Sequence, residues 1–96
     1  MQACIAEFTS KSSKLNVLIA NAGVIMTPEG RTADGFETQF GTNHLAHFLL
    51  FQLLKPALLA SSTADFNSRV VILSLIVHRS AEVDFNNLNL NGDYNP

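Results

Sequence analysis

Apolar residues follow different periods in different parts of the chain. In residues 2–10, Cys4, Ile5 and Phe8 recur at helical spacing, and the polar cluster Lys11-Ser12-Ser13-Lys14 then closes what reads as the tail of a helix. LNVLIA, residues 15–20, is a short continuous apolar run with β-branched residues, closed by Asn21-Ala22-Gly23, and predicts a buried strand. A loop over residues 21–32 follows, punctuated by Pro28 and Gly30. Thr32 fits the N-cap of a long helix from about Ala33 to about Leu54, with Asp34 and Glu37 complementing the positive end of its dipole. On that helix Phe36, Phe40, Asn43 and His47 share a face, yet Leu45, Phe48, Leu49 and Leu53 make other faces apolar too. Such a helix needs cover on more than one side. Pro56 can open a short further turn, residues 61–68 read as loop, and RVVILS, residues 69–74, predicts a second buried strand. From Ser80 the chain is turn-rich and without period.

Two buried strands joined by a helical crossover form a parallel βαβ unit. A parallel sheet needs both faces covered, and two strands with one helix do not supply that. The pattern therefore predicts an α/β chain that is a piece of a larger doubly wound sheet.

Composition narrows the function classes. With 96 residues, 47% hydrophobic content and a formal net charge of −2, the chain has the make-up of one small globular domain. Its 6 basic and 8 acidic residues form no stripe for a nucleic-acid backbone and no cluster for anionic lipid. Cys4 is the single cysteine, so no disulfide framework exists, and a reducing, cytoplasmic setting is the expectation. The N-terminus lacks the pattern of a signal peptide. The apolar stretch 45–60 is broken by His47, Gln52, Lys55 and Pro56 and is shorter than the roughly 20 residues of a spanning helix. His44 and His47 have no evident third ligand, which favours a packed pair over a metal site.

The candidate chemistry lies at the strand ends. In open parallel sheets ligands bind outside the carboxyl ends of the strands, where the loops diverge. Asn21-Ala22-Gly23 follows the first predicted strand and Ser74 ends the second, so parallel strands would carry both to one edge. Ala and Gly let backbone approach a flat ligand, and Asn can bond across neighbouring loops; N-A-G also suits a plain tight turn.

Three stretches in order, LIANAGVIMTP, DGFETQFGTNHLAHFLLFQLLKP and SRVVILSLIVHRS, resemble the short-chain dehydrogenase/reductase family, particularly its retinol-dehydrogenase-like and WW-domain-oxidoreductase-like branch. The resemblance implies a partial Rossmann-type doubly wound parallel sheet: one βαβ unit plus flanking segments. It implies hydride transfer between NAD or NADP and a small-molecule carbonyl or alcohol, with acid/base work by a Tyr-x-x-x-Lys pair. It assigns Asn21, Ala22 and Gly23, together with Ser74, to the cofactor side, and Asn43 to the family's catalytic asparagine, which supports a water-linked proton relay. It also implies homo-oligomers through the helix around residues 33–54.

Several positions depart from the family pattern. Ala20 stands where the first Asn of N-N-A-G is usual, and Ala46 replaces a Gly. Aligning His78 with the end of V-S-S-x-x-H puts Ser74 beside the working serine's position and Leu75 in it. Leucine neither donates nor accepts a hydrogen bond. Tyr94 is followed by Pro96 and by no lysine, so it reads as non-catalytic. The 96 residues hold no Gly-x-x-x-Gly-x-Gly turn and no Tyr-x-x-x-Lys. The resulting expectation is a fragment, 1–96, of a single NAD(P)-binding domain, inactive as this chain. The competing expectation is a non-catalytic short protein associating through its long apolar helix with itself or an intact relative.

Overall fold

The computed structural model describes residues 1–80 and 82–94; the side chain of His78 and all of Pro96, used above to align the serine motif and to set Tyr94 aside, lie outside the described residues. The described elements are α1 (Gln2–Lys11), β1 (Val17–Ala20), α2 (Thr38–Phe40), a π-helical turn (Gly41–Leu45), α3 (Ala46–Ser61), β2 (Arg69–Ile72) and a 3-10 turn (Ile76–Arg79). They divide into two compact units, one formed by Met1–Asn21 with Ala46–Leu73 and the other by Ala22–Leu45 with Ser74 onward.

In the first unit α1 packs on α3, and α3 packs on β1. An exposed Glu7–Lys11 ion pair of 3.0 Å, one helical turn apart, supports α1. The helix ends where Ser12 turns extended and its N–H donates to Phe8 O at 2.9 Å. At the end of α3, Ser61 Oγ accepts from Leu15 N at 2.8 Å and Ser61 O accepts from Asn16 Nδ2 at 3.0 Å. These bonds satisfy the helix terminus and aim the chain into β1.

β1 and β2 pair in parallel with the register Val17↔Arg69 to Ala20↔Ile72. Arg69 N donates to Asn16 O at 2.8 Å and Leu73 N to Ala20 O at 3.2 Å, so the ladder runs one bond past each end. Two parallel strands with helices beside them form the partial α/β arrangement of Rossmann type expected above. The core is small: Ala20, Leu54 and Leu58 are its buried apolar residues. Both strands were expected to be buried, yet all four residues of β2 are exposed, as are Val17 and Ile19 of β1. Two strands present more apolar surface than α3 covers.

The long helix differs from expectation at both ends. Residues 31–37 form a tight turn instead of its first turn: Thr32 N donates to Phe36 O at 2.7 Å, Phe36 N to Thr32 Oγ1 at 3.2 Å, and Gly35 N to Thr32 O at 2.9 Å. Gly35 closes this turn with φ 87°, and Arg31 and Glu37 bridge as antiparallel partners. Thr32 therefore caps a turn, and the helical N-cap is Glu37, whose carboxylate accepts from Gln39 N at 2.8 Å and Phe40 N at 2.7 Å. At the other end the helix runs through Pro56 to Ser61. An interior proline costs about 3 kcal/mol, and burial of Leu54 and Leu58 on either side offsets it. β2 stops at Ile72, two residues before Ser74, and the 3-10 turn at Ile76–Arg79 was not anticipated.

Candidate functional site

The carboxyl ends of both strands lie at one sheet edge, because Leu73 N bonds Ala20 O across it. Asn21 continues β1 there, and its exposed side chain makes no hydrogen bond among the described residues. Ser74 follows Leu73 in the chain and is likewise exposed.

In the second unit, Ala22 and Gly23 lead into the segment Val24–Thr27, with Asn43 against it. Asn43 Oδ1 accepts from Val24 N at 2.8 Å, and Asn43 Nδ2 donates to Val24 O at 2.7 Å. Both ends of one side-chain amide are thus matched to both polar groups of one backbone residue. Gly23 fits closely beside it: a Cβ at residue 23 would sit 3.0 Å from Asn43 Oδ1, a tight contact from which the amide would have to shift. Asn43 lies in the π-helical turn, a local form concentrated at functional sites. Gly41 opens that turn buried, with room for no side chain, since a Cβ would come 2.7 Å from Thr32 Cγ2.

Two further residues hold the same segment, and sequence reasoning had not singled out the first. Gln39 Oε1 accepts from Met26 N at 3.2 Å, and Gln39 Nε2 donates to Tyr94 Oη at 2.9 Å. Tyr94 Oη in turn donates to Thr27 O. Gln39 stands four residues before Asn43, one helical turn, and that spacing was the available signal. Glu37, 2% exposed, anchors the helix start and donates its own N–H to Asn89 Oδ1 at 3.0 Å. Arg31 donates to Asn89 O at 2.6 Å and to Asn91 Oδ1 at 2.7 Å, tying the turn-rich tail to the 31–37 turn. Leu75 is exposed just past Ser74.

His44 lies against the Phe40 ring with centroids 5.4 Å apart, and among the described residues no group of three or more His, Cys, Asp or Glu could hold a metal ion. No helix among the described residues is long and apolar enough to cross a membrane.

No family model matches the chain. It is 52% identical over 89 residues to the short-chain dehydrogenase/reductase prx1 of Penicillium roqueforti, covering 93% of this chain and 26% of that protein. It is 47% identical over 88 residues to retinol dehydrogenase 12 of Mus musculus and 42% identical over 92 residues to polyprenol dehydrogenase of Homo sapiens. Those alignments cover 92% and 96% of this chain and 27% and 28% of the relatives, so the chain spans about a quarter of their length. Among solved structures, an uncharacterized protein from Mycobacterium paratuberculosis matches with a TM-score of 0.75 at 37% identity, over 95% of this chain and 31% of that one. With strands, parallel register and relatives in agreement, the chain belongs to the short-chain dehydrogenase/reductase family, in its retinol-dehydrogenase-like branch.

Proposed function

We propose that residues 1–96 are the central part of a single NAD(P)(H)-binding Rossmann domain, in an oxidoreductase that interconverts a small alcohol and carbonyl compound. Turnover then requires the glycine-rich turn and the Tyr-x-x-x-Lys pair that the 96 residues do not contain. The observation that carries this reading is the two-point bond from Asn43 to Val24, which fixes the chain directly after the N-A-G motif.

The residues present suit a dinucleotide by their chemistry. Ala22 and Gly23 are exposed and carry little or no side chain, so a flat ring can approach their backbone, and Asn21 and Ser74 add exposed polar groups. When bound, the nicotinamide cofactor supplies or takes up the hydride. In this reading Asn21, Ala22, Gly23 and Ser74 contact the cofactor. Asn43 holds the backbone just after Gly23 with its side-chain amide.

A hybrid protein in which this chain replaces the matching quarter of the Penicillium roqueforti relative tests the reading. It is expected to bind NADH or NADPH, with cofactor fluorescence as the readout, and Asn43→Leu should weaken binding about tenfold through loss of two hydrogen bonds to Val24. A folded hybrid that binds neither dinucleotide would refute it.

A specific observation favours association as a second reading. Phe48 and Leu59, 59% and 67% exposed, stand eleven residues apart on one stripe of α3. Gln52 and Lys55 lie between them on that face, so it offers two separate apolar contacts with a polar middle to a second copy or an intact relative. The chain is expected to sediment above its monomer mass of 10.5 kDa at micromolar concentration. Phe48→Glu with Leu59→Glu should return it to monomer; a chain already monomeric before substitution speaks against association.

A further inference from the structure

Tyr94 has no part in the proposed chemistry, yet its hydroxyl is among the most heavily bonded side-chain atoms of the second unit. It donates to Thr27 O, accepts from Gln39 Nε2 at 2.9 Å and lies 3.4 Å from Thr27 Oγ1. A phenol has a single proton to donate, so with that proton on Thr27 O, Gln39 must be the donor to Tyr94. This settles the orientation of the Gln39 amide. Its nitrogen faces Tyr94, which leaves its oxygen for Met26 N at 3.2 Å. Flipping the amide would set N–H against N–H at Met26.

The segment thus gripped is strained. Met26 has φ 53°, in the left-handed region that a non-glycine residue enters at a cost on the order of 1–3 kcal/mol. Such a conformation persists only when neighbours hold it. Asn43 holds Val24 on one side of Met26, Gln39 holds Met26 itself, and Tyr94 holds Thr27 on the other side. The Gln39 backbone is itself anchored, since its N–H is bonded to the capping carboxylate of Glu37 at 2.8 Å. The result is that two apolar side chains, Ile25 and Met26, stand 63% and 73% exposed on a backbone held at four polar atoms.

We propose that Gln39 and Tyr94 are positioning residues: a linked clasp that keeps Val24–Thr27 in its strained conformation and so presents Ile25 and Met26 to whatever binds beside Asn21-Ala22-Gly23. The ligand side of this statement rests on the functional reading above. The clasp itself rests on the hydrogen bonds.

The test is amide hydrogen exchange, followed by NMR in the 96-residue chain. Tyr94→Phe removes one oxygen and touches no Met26 contact directly, yet it should speed exchange at the Met26 amide by about tenfold, the equivalent of one hydrogen bond. Gln39→Met should do the same or more. The amides of Arg69 and Leu73, bonded in the strand ladder, serve as controls and should stay unchanged. Met26→Gly removes the left-handed penalty, and in the Tyr94→Phe chain it should return the Val24 and Thr27 amide shifts toward their original values. A contact that merely adds stability would show no such rescue. The proposal is overturned if both substitutions leave Met26 exchange within about twofold, if the control amides accelerate equally, if Met26→Gly gives no rescue, or if the unsubstituted Met26 amide exchanges as in an unfolded peptide. None of these measurements involves a dinucleotide, so failure of the clasp is distinct from failure of cofactor binding in the hybrid.

Discussion

Leu75→Ser, made in the hybrid protein that carries residues 1–96 in the Penicillium frame, is expected to raise NAD(P)H-dependent carbonyl reduction by about two to three orders of magnitude. The size follows from what one missing hydrogen-bond donor at a reacting oxygen typically removes from the rate. Resemblance to the family puts the substrate-holding serine at residue 75, where this chain has leucine. A one-residue slip of that alignment would put Ser74 there instead. Leu73 N is bonded to Ala20 O, so β2 leaves the sheet in a set register, and a slip would turn its alternation over. Leu75 is exposed, so a serine hydroxyl at that position would be open to solvent. Ser74→Ala is the companion measurement. With Leu75 in the working position it should change the rate by no more than a few fold, whereas a loss of a hundredfold or so would show that Ser74 already serves as the oxygen holder.

Glu37→Ala carries the second large effect, this time on stability. The carboxylate is 2% exposed and satisfies two of the N–H groups that every helix start leaves without partners. Truncation removes both charge-assisted bonds and strands the Gln39 and Phe40 amides in a part-buried setting. Loss of a cap together with two unsatisfied donors corresponds to about 2–4 kcal/mol. Glu37→Gln keeps an acceptor oxygen and should lose roughly half as much. Urea unfolding followed by helical ellipticity gives the number, and a Glu37→Ala midpoint equal to that of the unsubstituted chain would remove Glu37 from the list of anchors.

The two strands were legible because short apolar runs closed by turn residues have few other uses, and LNVLIA and RVVILS both became strands in parallel register. The start of the long helix was not. Thr32 with Asp34 and Glu37 behind it has the composition of an N-terminus, but Gly35 in a left-handed conformation bends residues 31–37 into a turn. The residue that does cap the helix is secured by Asn89, 52 positions away. No local pattern carries that information. The exit was misplaced for a different reason: Pro56 is a strong local stop signal, overridden by the burial of Leu54 and Leu58. The π-helical turn left no trace in the apolar spacing, since it changes bonding without changing composition. For the candidate site, Asn43 came from resemblance, and its two bonds to Val24 give that assignment a physical content that the motif lacks. Tyr94 was set apart from the Tyr-x-x-x-Lys pattern on its flanking residues alone, and its bonds to Gln39 and Thr27 lay outside any local signal.

The parallel pairing of β1 with β2 also dictates an order of events during synthesis. Val17 and its partner Arg69 are separated by 52 residues of chain. At about 5–20 residues per second, a ribosome extends the chain for roughly 3–10 s between the two. Throughout that interval VLIA is a β-prone apolar run without its β2 partner. Closing so long a loop before any ladder bond forms also makes the pairing slow by nature. The nascent chain should therefore depend on a chaperone, and slowing translation between residues 20 and 69 should lower the soluble yield more than slowing it after residue 73.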